Sequence, residues 1–309
     1  MSRSVEHQRD TRKGLIAIAG AYGLWGLFPL YFVLTQPASA LEVVAWRIIF
    51  SLVFCALILT VAGSYRSLFA LVRRGSMMVR MLIAGLLIGS NWLFYVIAVT
   101  SGNTLEASLG YFINPLVAVL LGVMVLGERL RPLQWIAVVV AAVAVTTMAL
   151  LYGQVPWIAL GLAFSFGLYG LVKSQLGHGV SAINSLTAET LVLSPLALTV
   201  LGFIGVQSSL SFTSNGTTHA FILALSGIVT AIPLLCFAVA AANLPLSLIG
   251  IIQYATPTIQ FFIALFIFGE EMSPARWIGF SLVWVAVALF LADAVMRTRV
   301  RSGNIKRAS

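Results

Sequence analysis

Charge is what this chain has least of. Only 9% of its 309 residues are Asp, Glu, Lys or Arg, against 60% hydrophobic, and the mean hydropathy is +1.03. A soluble domain does not carry that balance. Cysteine is scarce too: Cys55 and Cys236 both fall inside apolar runs, so neither a disulfide framework nor a thiolate metal spacing follows. The three histidines, His7, His178 and His219, sit in a tail, a loop and a span end, and none belongs to an HExxH motif, so no metal is expected. No GxxxxGK[ST] loop is present, which argues against ATP as an energy source, and no cofactor is expected. The residues for a hydrolytic triad inside a membrane are missing, so an enzyme is not expected. The net charge of +9 would suggest nucleic acid in a soluble protein. Here the basic residues crowd into tails and short loops, so membrane topology accounts for them and no nucleic-acid partner is expected.

What the chain does have is a series of long apolar runs. About 20 helical residues at ~1.5 Å each cross ~30 Å of hydrocarbon. By that measure ten spans are expected, at roughly 14–34, 41–62, 78–100, 105–126, 133–152, 157–173, 182–206, 219–241, 246–268 and 275–296. The polar stretch Met1 to Lys13 precedes a run of full span length, so no cleavable signal is expected. The loops 35–40, 101–104, 153–156 and 207–218 carry no Lys or Arg. With an inside N-terminus, every basic residue except Arg47 and Arg276 falls on the cytoplasmic side, so both termini are expected there.

The spans repeat. An ungapped shift of 142 aligns Ser39-Ala40 with Ser181-Ala182, Pro115 with Pro257, Gly127-Glu128 with Gly269-Glu270, Pro132 with Pro274 and Trp135 with Trp277. A shift near 144 puts Trp25-Gly26 on Tyr169-Gly170. Each half holds five spans, and an odd number makes the second half enter from the opposite side. GERLR after span four is basic, whereas its counterpart GEEMS after span nine is acidic, as an inversion requires. The expected fold is therefore an all-α integral membrane protein of ten transmembrane helices in two inverted five-helix repeats. Its segments are a cytoplasmic tail 1–13, a first repeat 14–152, a second repeat 157–296 and a basic cytoplasmic tail 297–309.

Several polar groups lie at membrane depth. Pro115 and Pro257 fall mid-span, and each frees the carbonyl four residues back, of Tyr111 or Gln253. Hydrocarbon cannot satisfy such a carbonyl, and a pair of broken helices in corresponding places points to a transporter site. Tyr111, Asn114, Gln253 and Tyr254 cluster just before these prolines and are expected to line a cavity. Asn91 is a further polar candidate, although interhelical hydrogen bonding alone would explain any of the five. Trp25, four residues before Pro29, also has a freed carbonyl and serves either packing or recognition.

Arg47 lies six residues into span two, in EVVAWRIIFSL. An arginine near the centre costs ~2.5–3.5 kcal/mol on insertion scales. It either snorkels to the outer interface or offers a fork to an anionic substrate group or a carboxylate. The shift of 142 puts Glu189 at its position, so an Arg47–Glu189 pair or shared cavity is expected. Alternatively Glu189 carries a coupling proton or sits at the lipid interface. Glu106, behind Asn103-Thr104, reads as a carboxylate capping its own helix, with substrate or proton contact as the alternative. Glu42 reads as a solvated end residue.

The motifs WGLFPLYF, EVVAWRIIFS, NWLFY, EASLGYFINPL, GLAFSFGLYGLVK, TAIPLLCFAVAA and LIGIIQYATPT occur in this order. Together they resemble the RarD-type permeases of the EamA branch of the drug/metabolite transporter superfamily, over nearly the whole chain. The resemblance implies a bacterial inner membrane and a central cavity lined by spans one, three, four, six, eight and nine, with spans two and seven more peripheral. The expected function is a secondary transporter of a small organic solute, drug or metabolite, working in the lipid bilayer by alternating access. The alternative is a non-transporting membrane protein for lipid handling or assembly. The substrate, the coupling ion, the direction and a homodimer all stay open.

Overall fold

The computed structural model describes residues 2–73, 75–127, 130–152, 155–174, 180–244 and 246–307. Glu128 and Arg129 of GERLR, Arg74 and residues 153–154 lie outside these. The chain runs as α1 (Ser2–Gly26), α2 (Phe28–Val33), α3 (Ala40–Val61), α4 (Tyr65–Val72), α5 (Gly75–Thr100), α6 (Thr104–Leu126) and α7 (Pro132–Tyr152). It continues as α8 (Trp157–Ser174), α9 (Ala182–Gln207), α10 (Ser211–Ser214), α11 (Gly216–Asn243), α12 (Leu246–Ile252), α13 (Ala255–Phe262), a π-helical segment (Ile263–Ile267) and α14 (Pro274–Arg307).

Among the described residues eight helical stretches are long and apolar enough to cross a membrane, and Trp157–Lys173 and Ala255–Ile267 are shorter apolar helices. Taken in order these are the ten expected spans. Span one is α1 with α2, and span nine is α12, α13 and the π segment. The short α4 and α10 occupy loops. Helix continues into both tails: α1 begins at Ser2 and α14 runs on to Arg307, while their apolar parts are Thr11–Val33, with α2, and Pro274–Asp293.

Helix starts follow local chemistry. Ser39 caps α3 by accepting from the Glu42 amide at 3.2 Å, and its repeat partner Ser181 caps α9 through the Asn184 amide at 3.3 Å. Gly127 ends α6 at φ 68°, the left-handed conformation that favours glycine.

The packing obeys the repeat. In the first half's terms, α1 lies on α11, α5 on α8 and α3 on α11. Exchanging the halves turns the first contact into the second, and turns α3 on α11 into α9 on α5, which is also present. The contacts of α3 with α9 and of α7 with α14 map onto themselves, as contacts across a pseudo-twofold axis must. Large apolar side chains such as Val61, Leu150 and Val206 face outward, the arrangement expected where the solvent is lipid.

Two prolines behave differently although the repeat equates them. Pro115 lies inside the continuous helix α6, so the expected interruption of span four does not occur. Span nine does break: Gln253 and Tyr254 form a turn between α12 and α13. With no N–H on Pro257, the Gln253 carbonyl instead accepts from the Thr256 amide at 3.2 Å.

Candidate functional site

Arg47, on α3, is 3% exposed. Its Nε donates to Thr230 Oγ1 of α11 at 2.7 Å. Its guanidinium carbon lies 4.3 Å from the Trp92 ring centre, 5.1 Å from Phe32 and 5.5 Å from Phe28. The residue therefore does not snorkel. Tyr111, Tyr31 and Tyr95 stand within electrostatic reach. Tyr95 touches both Phe32 and Tyr111, with ring centres 5.8 Å apart in each case, and its buried hydroxyl has no hydrogen-bond partner among the described residues.

Close approach of two helices creates this site. A Cβ on Gly227 of α11 would stand 2.3 Å from the Phe50 carbonyl oxygen, so only glycine lets α11 lie this close to α3. One turn along α11, that proximity puts Thr230 on Arg47.

Among the described residues no carboxylate lies within ion-pair distance of Arg47, and Glu189 is taken elsewhere. Lys173 of α8 donates to Glu189 Oε1 at 2.8 Å, and Ser185 Oγ and Tyr169 donate to the same carboxylate at 2.8 and 3.2 Å. The expected Arg47–Glu189 pair is thus not formed. The inversion explains why. Arg47 stands seven residues from the start of α3 and Glu189 seven from the start of α9, but the two helices start on opposite membrane faces. At ~1.5 Å per residue, each is ~10 Å from a different face.

Three rings and one hydroxyl stand in for water around Arg47. Moving a charge out of water costs several kcal/mol. Each desolvated cation–π contact returns ~2 kcal/mol and a charged hydrogen bond ~1.5–3 kcal/mol, enough to hold the charge in place. A guanidinium carries five N–H donors, and among the described residues its hydrogen bond to Thr230 uses only Nε.

Asn91, one turn from Tyr95 on α5, is 1% exposed and tied to α8. Its Nδ2 donates to the Leu162 carbonyl at 3.1 Å and to Ser165 Oγ at 3.0 Å, and its Oδ1 accepts from Tyr111 OH at 3.3 Å. Tyr111 and Asn91 thus adjoin the Arg47 cage. Tyr254 does not, because its ring stacks on Phe112 at 6.3 Å in a separate apolar cluster, with its hydroxyl buried and unpartnered. Asn114 Oδ1 is likewise buried without a partner among the described residues, and Gln253 is half-buried in the turn. The four polar residues before the prolines are therefore not one cluster. Trp25 packs on Tyr22 and Phe237, and its freed carbonyl accepts from Gln260 Nε2 of α13 at 3.0 Å.

At the end of the molecule where α6 and α8 begin, two carboxylates cross between the halves. Glu106 does not cap its own helix. It accepts from the Ile158 and Ala159 amides that open α8, at 2.9 and 3.3 Å. Glu270, from the second half, accepts from the Thr104 and Leu105 amides that open α6, at 2.6 and 2.9 Å. At the same end Glu42 is 3% exposed rather than solvated, accepting from the Phe212 amide at 3.1 Å and from Trp46 Nε1 at 3.4 Å. Sequence reasoning missed Glu270, Lys173, Thr230 and Trp92. The acidic GEEMS segment and the NWLFY motif were the available signals for Glu270 and Trp92.

The model of the EamA-like transporter family matches residues 12–150 and again 155–292. The chain belongs to the EamA-like transporter family. Within that family it is of the RarD type: it is 43% identical over 302 residues to Protein RarD of Streptomyces exfoliatus, covering 98% of this chain and 95% of the relative. It is 38% identical to Protein RarD of Escherichia coli strain K12, covering 94% and 98%. A solved crystal structure superposes with TM-score 0.60 at 18% identity, covering 93% of this EamA-family chain and 98% of that one, and so shares the fold. The EamA-family chain is thus a multi-pass membrane transporter protein built from two repeats.

Proposed function

We propose that the protein is a secondary transporter that moves a small organic solute across a bacterial inner membrane by alternating access of its two halves. Both termini face the cytoplasm in this reading, because the basic residues gather on that side. The gradient of an ion or of the solute itself drives the cycle, since the sequence carries no phosphate loop.

The observation that carries the reading is the reciprocal pair of carboxylate caps. Glu270 of the second half holds the start of α6, and Glu106 of the first half holds the start of α8. Such caps close one end of the cleft between the halves, and each is replaced by water when that end opens. Asn91, Tyr111, Asn114, Gln253, Tyr254 and Trp25 supply polar and aromatic surface along the path, with Pro257 at the pivot of span nine.

The test is solute flux into proteoliposomes, with Glu270→Gln and Glu106→Gln beside the parent. Neutral side chains weaken the caps by ~1 kcal/mol each. Ser108 is buried one turn along α6 from the Glu270 cap, its hydroxyl donating to the Pro257 carbonyl at 2.8 Å. With Cys55 and Cys236 replaced, a cysteine there should react faster with an impermeant thiol reagent in the Glu270→Gln background. Unchanged reactivity together with no flux of any solute would sink the reading.

A further inference from the structure

We propose that the Arg47 cage binds the carboxylate of an organic acid whose body is aromatic or aliphatic. The proposal rests on the transport reading and narrows its solute to an anion.

The two halves treat their buried charges differently. In the second half Glu189 is 1% exposed and fully served by Lys173, Ser185 and Tyr169. In the first half the equivalent position holds Arg47, 3% exposed, with Thr230 as its hydrogen-bond acceptor and no carboxylate within ion-pair distance among the described residues. A protein that needed only a structural ion pair has one in Lys173–Glu189. Arg47 instead makes its hydrogen bond through Nε and sets its guanidinium among aromatic groups that suit a ligand. A guanidinium matches a carboxylate in two parallel hydrogen bonds. The unpartnered Tyr95 hydroxyl is a third donor on the same ring cluster. Phe28, Phe32 and Trp92 offer aromatic faces beside the charge, which suit an apolar body better than a hydrated ion. Spans one, two, three and eight all contribute, and Tyr111 of span four adjoins through Tyr95. Rocking of one half against the other therefore changes the cage.

The test uses the purified full-length protein in neutral detergent. Thermal stability is followed while 3-phenylpropionate, octanoate or indole-3-acetate is titrated, each beside its uncharged amide. Binding to the folded state raises the melting temperature with ligand concentration. The expected result is a saturable rise for at least one acid, with at least tenfold weaker response to its amide. Arg47→Gln should abolish the preference, and Arg47→Lys should retain part of it. Trp92 gives a second measure: 3-phenylpropionate or octanoate, which lack an indole, should change intrinsic fluorescence, and Trp92→Phe should remove that change even if the Arg47 variants do not fold. Doping the micelles with phosphatidylglycerol distinguishes a lipid headgroup: loss of the response to the free acid there would overturn the proposal. No preference for any acid over its amide, or an unchanged preference in Arg47→Gln, would also overturn it. Flux of an uncharged solute unaffected by Arg47→Gln would leave the transporter reading standing while removing the anion from it.

Discussion

Lys173 Nζ lies 2.8 Å from Glu189 Oε1, linking α8 to α9 within the second half. Lys173 also donates to Ser185, so the ammonium and the carboxylate share one hydroxyl. The Glu189 side chain is 1% exposed, so the pair stands in surroundings where an unmatched carboxylate is costly.

Lys173→Met should therefore destabilise the protein by about 3 kcal/mol, because it strands a buried charge. Adding Glu189→Gln should recover most of that loss. The measurement is thermal unfolding in detergent for both singles and the double variant. Additive losses would show that the two side chains do not act as a pair.

Gly227→Ala should push α11 away from α3. The new Cβ would meet backbone, the Phe50 carbonyl at 2.3 Å, rather than a side chain that can turn aside. Overpacking of this kind costs ~1–3 kcal/mol. The Arg47–Thr230 hydrogen bond should be lost with it, so any ligand response at Arg47 should fall more than the stability does. A variant as stable as the parent would show that the helices can separate freely.

Pro257→Ala and Pro115→Ala should differ. Alanine at 257 restores a donor to the Gln253 carbonyl and lets α12 and α13 join, removing an interruption worth up to ~3 kcal/mol in a helix. Flux should drop while stability holds or rises. Pro115 already lies in a continuous helix, so its replacement should alter flux less. Equal effects at both positions would contradict the asymmetry between spans four and nine.

A reporter fused after Ser309 should be cytoplasmic, and one inserted within 207–218 should be periplasmic. Ten spans and the positive-inside rule lead to this arrangement. Both reporters on one side would break the ten-span count.

The sequence alone was enough for the span count, the two repeats and the family resemblance, because hydropathy over ~20 residues and a fixed shift of 142 are properties of the chain itself. The freed Trp25 carbonyl was also legible, since it follows from Pro29 four residues on. Partners were not. Arg47 and Glu189 share a register but start from opposite faces, so their separation in depth follows from the inversion and not from their alignment. Glu106 looked like a cap for its own helix, yet its carboxylate serves α8, because the contact of α6 with α8 brings those amides within reach. Pro115 and Pro257 occupy equivalent positions, but only span nine breaks. There α13 is held by Thr256 and Gln260 to the Tyr22 and Trp25 carbonyls of α1, while α6 keeps a continuous helix packed on α8. Periodicity places a side chain along one helix. Which groups face it is decided by helix rotation and depth, and those are set by packing across the whole bundle.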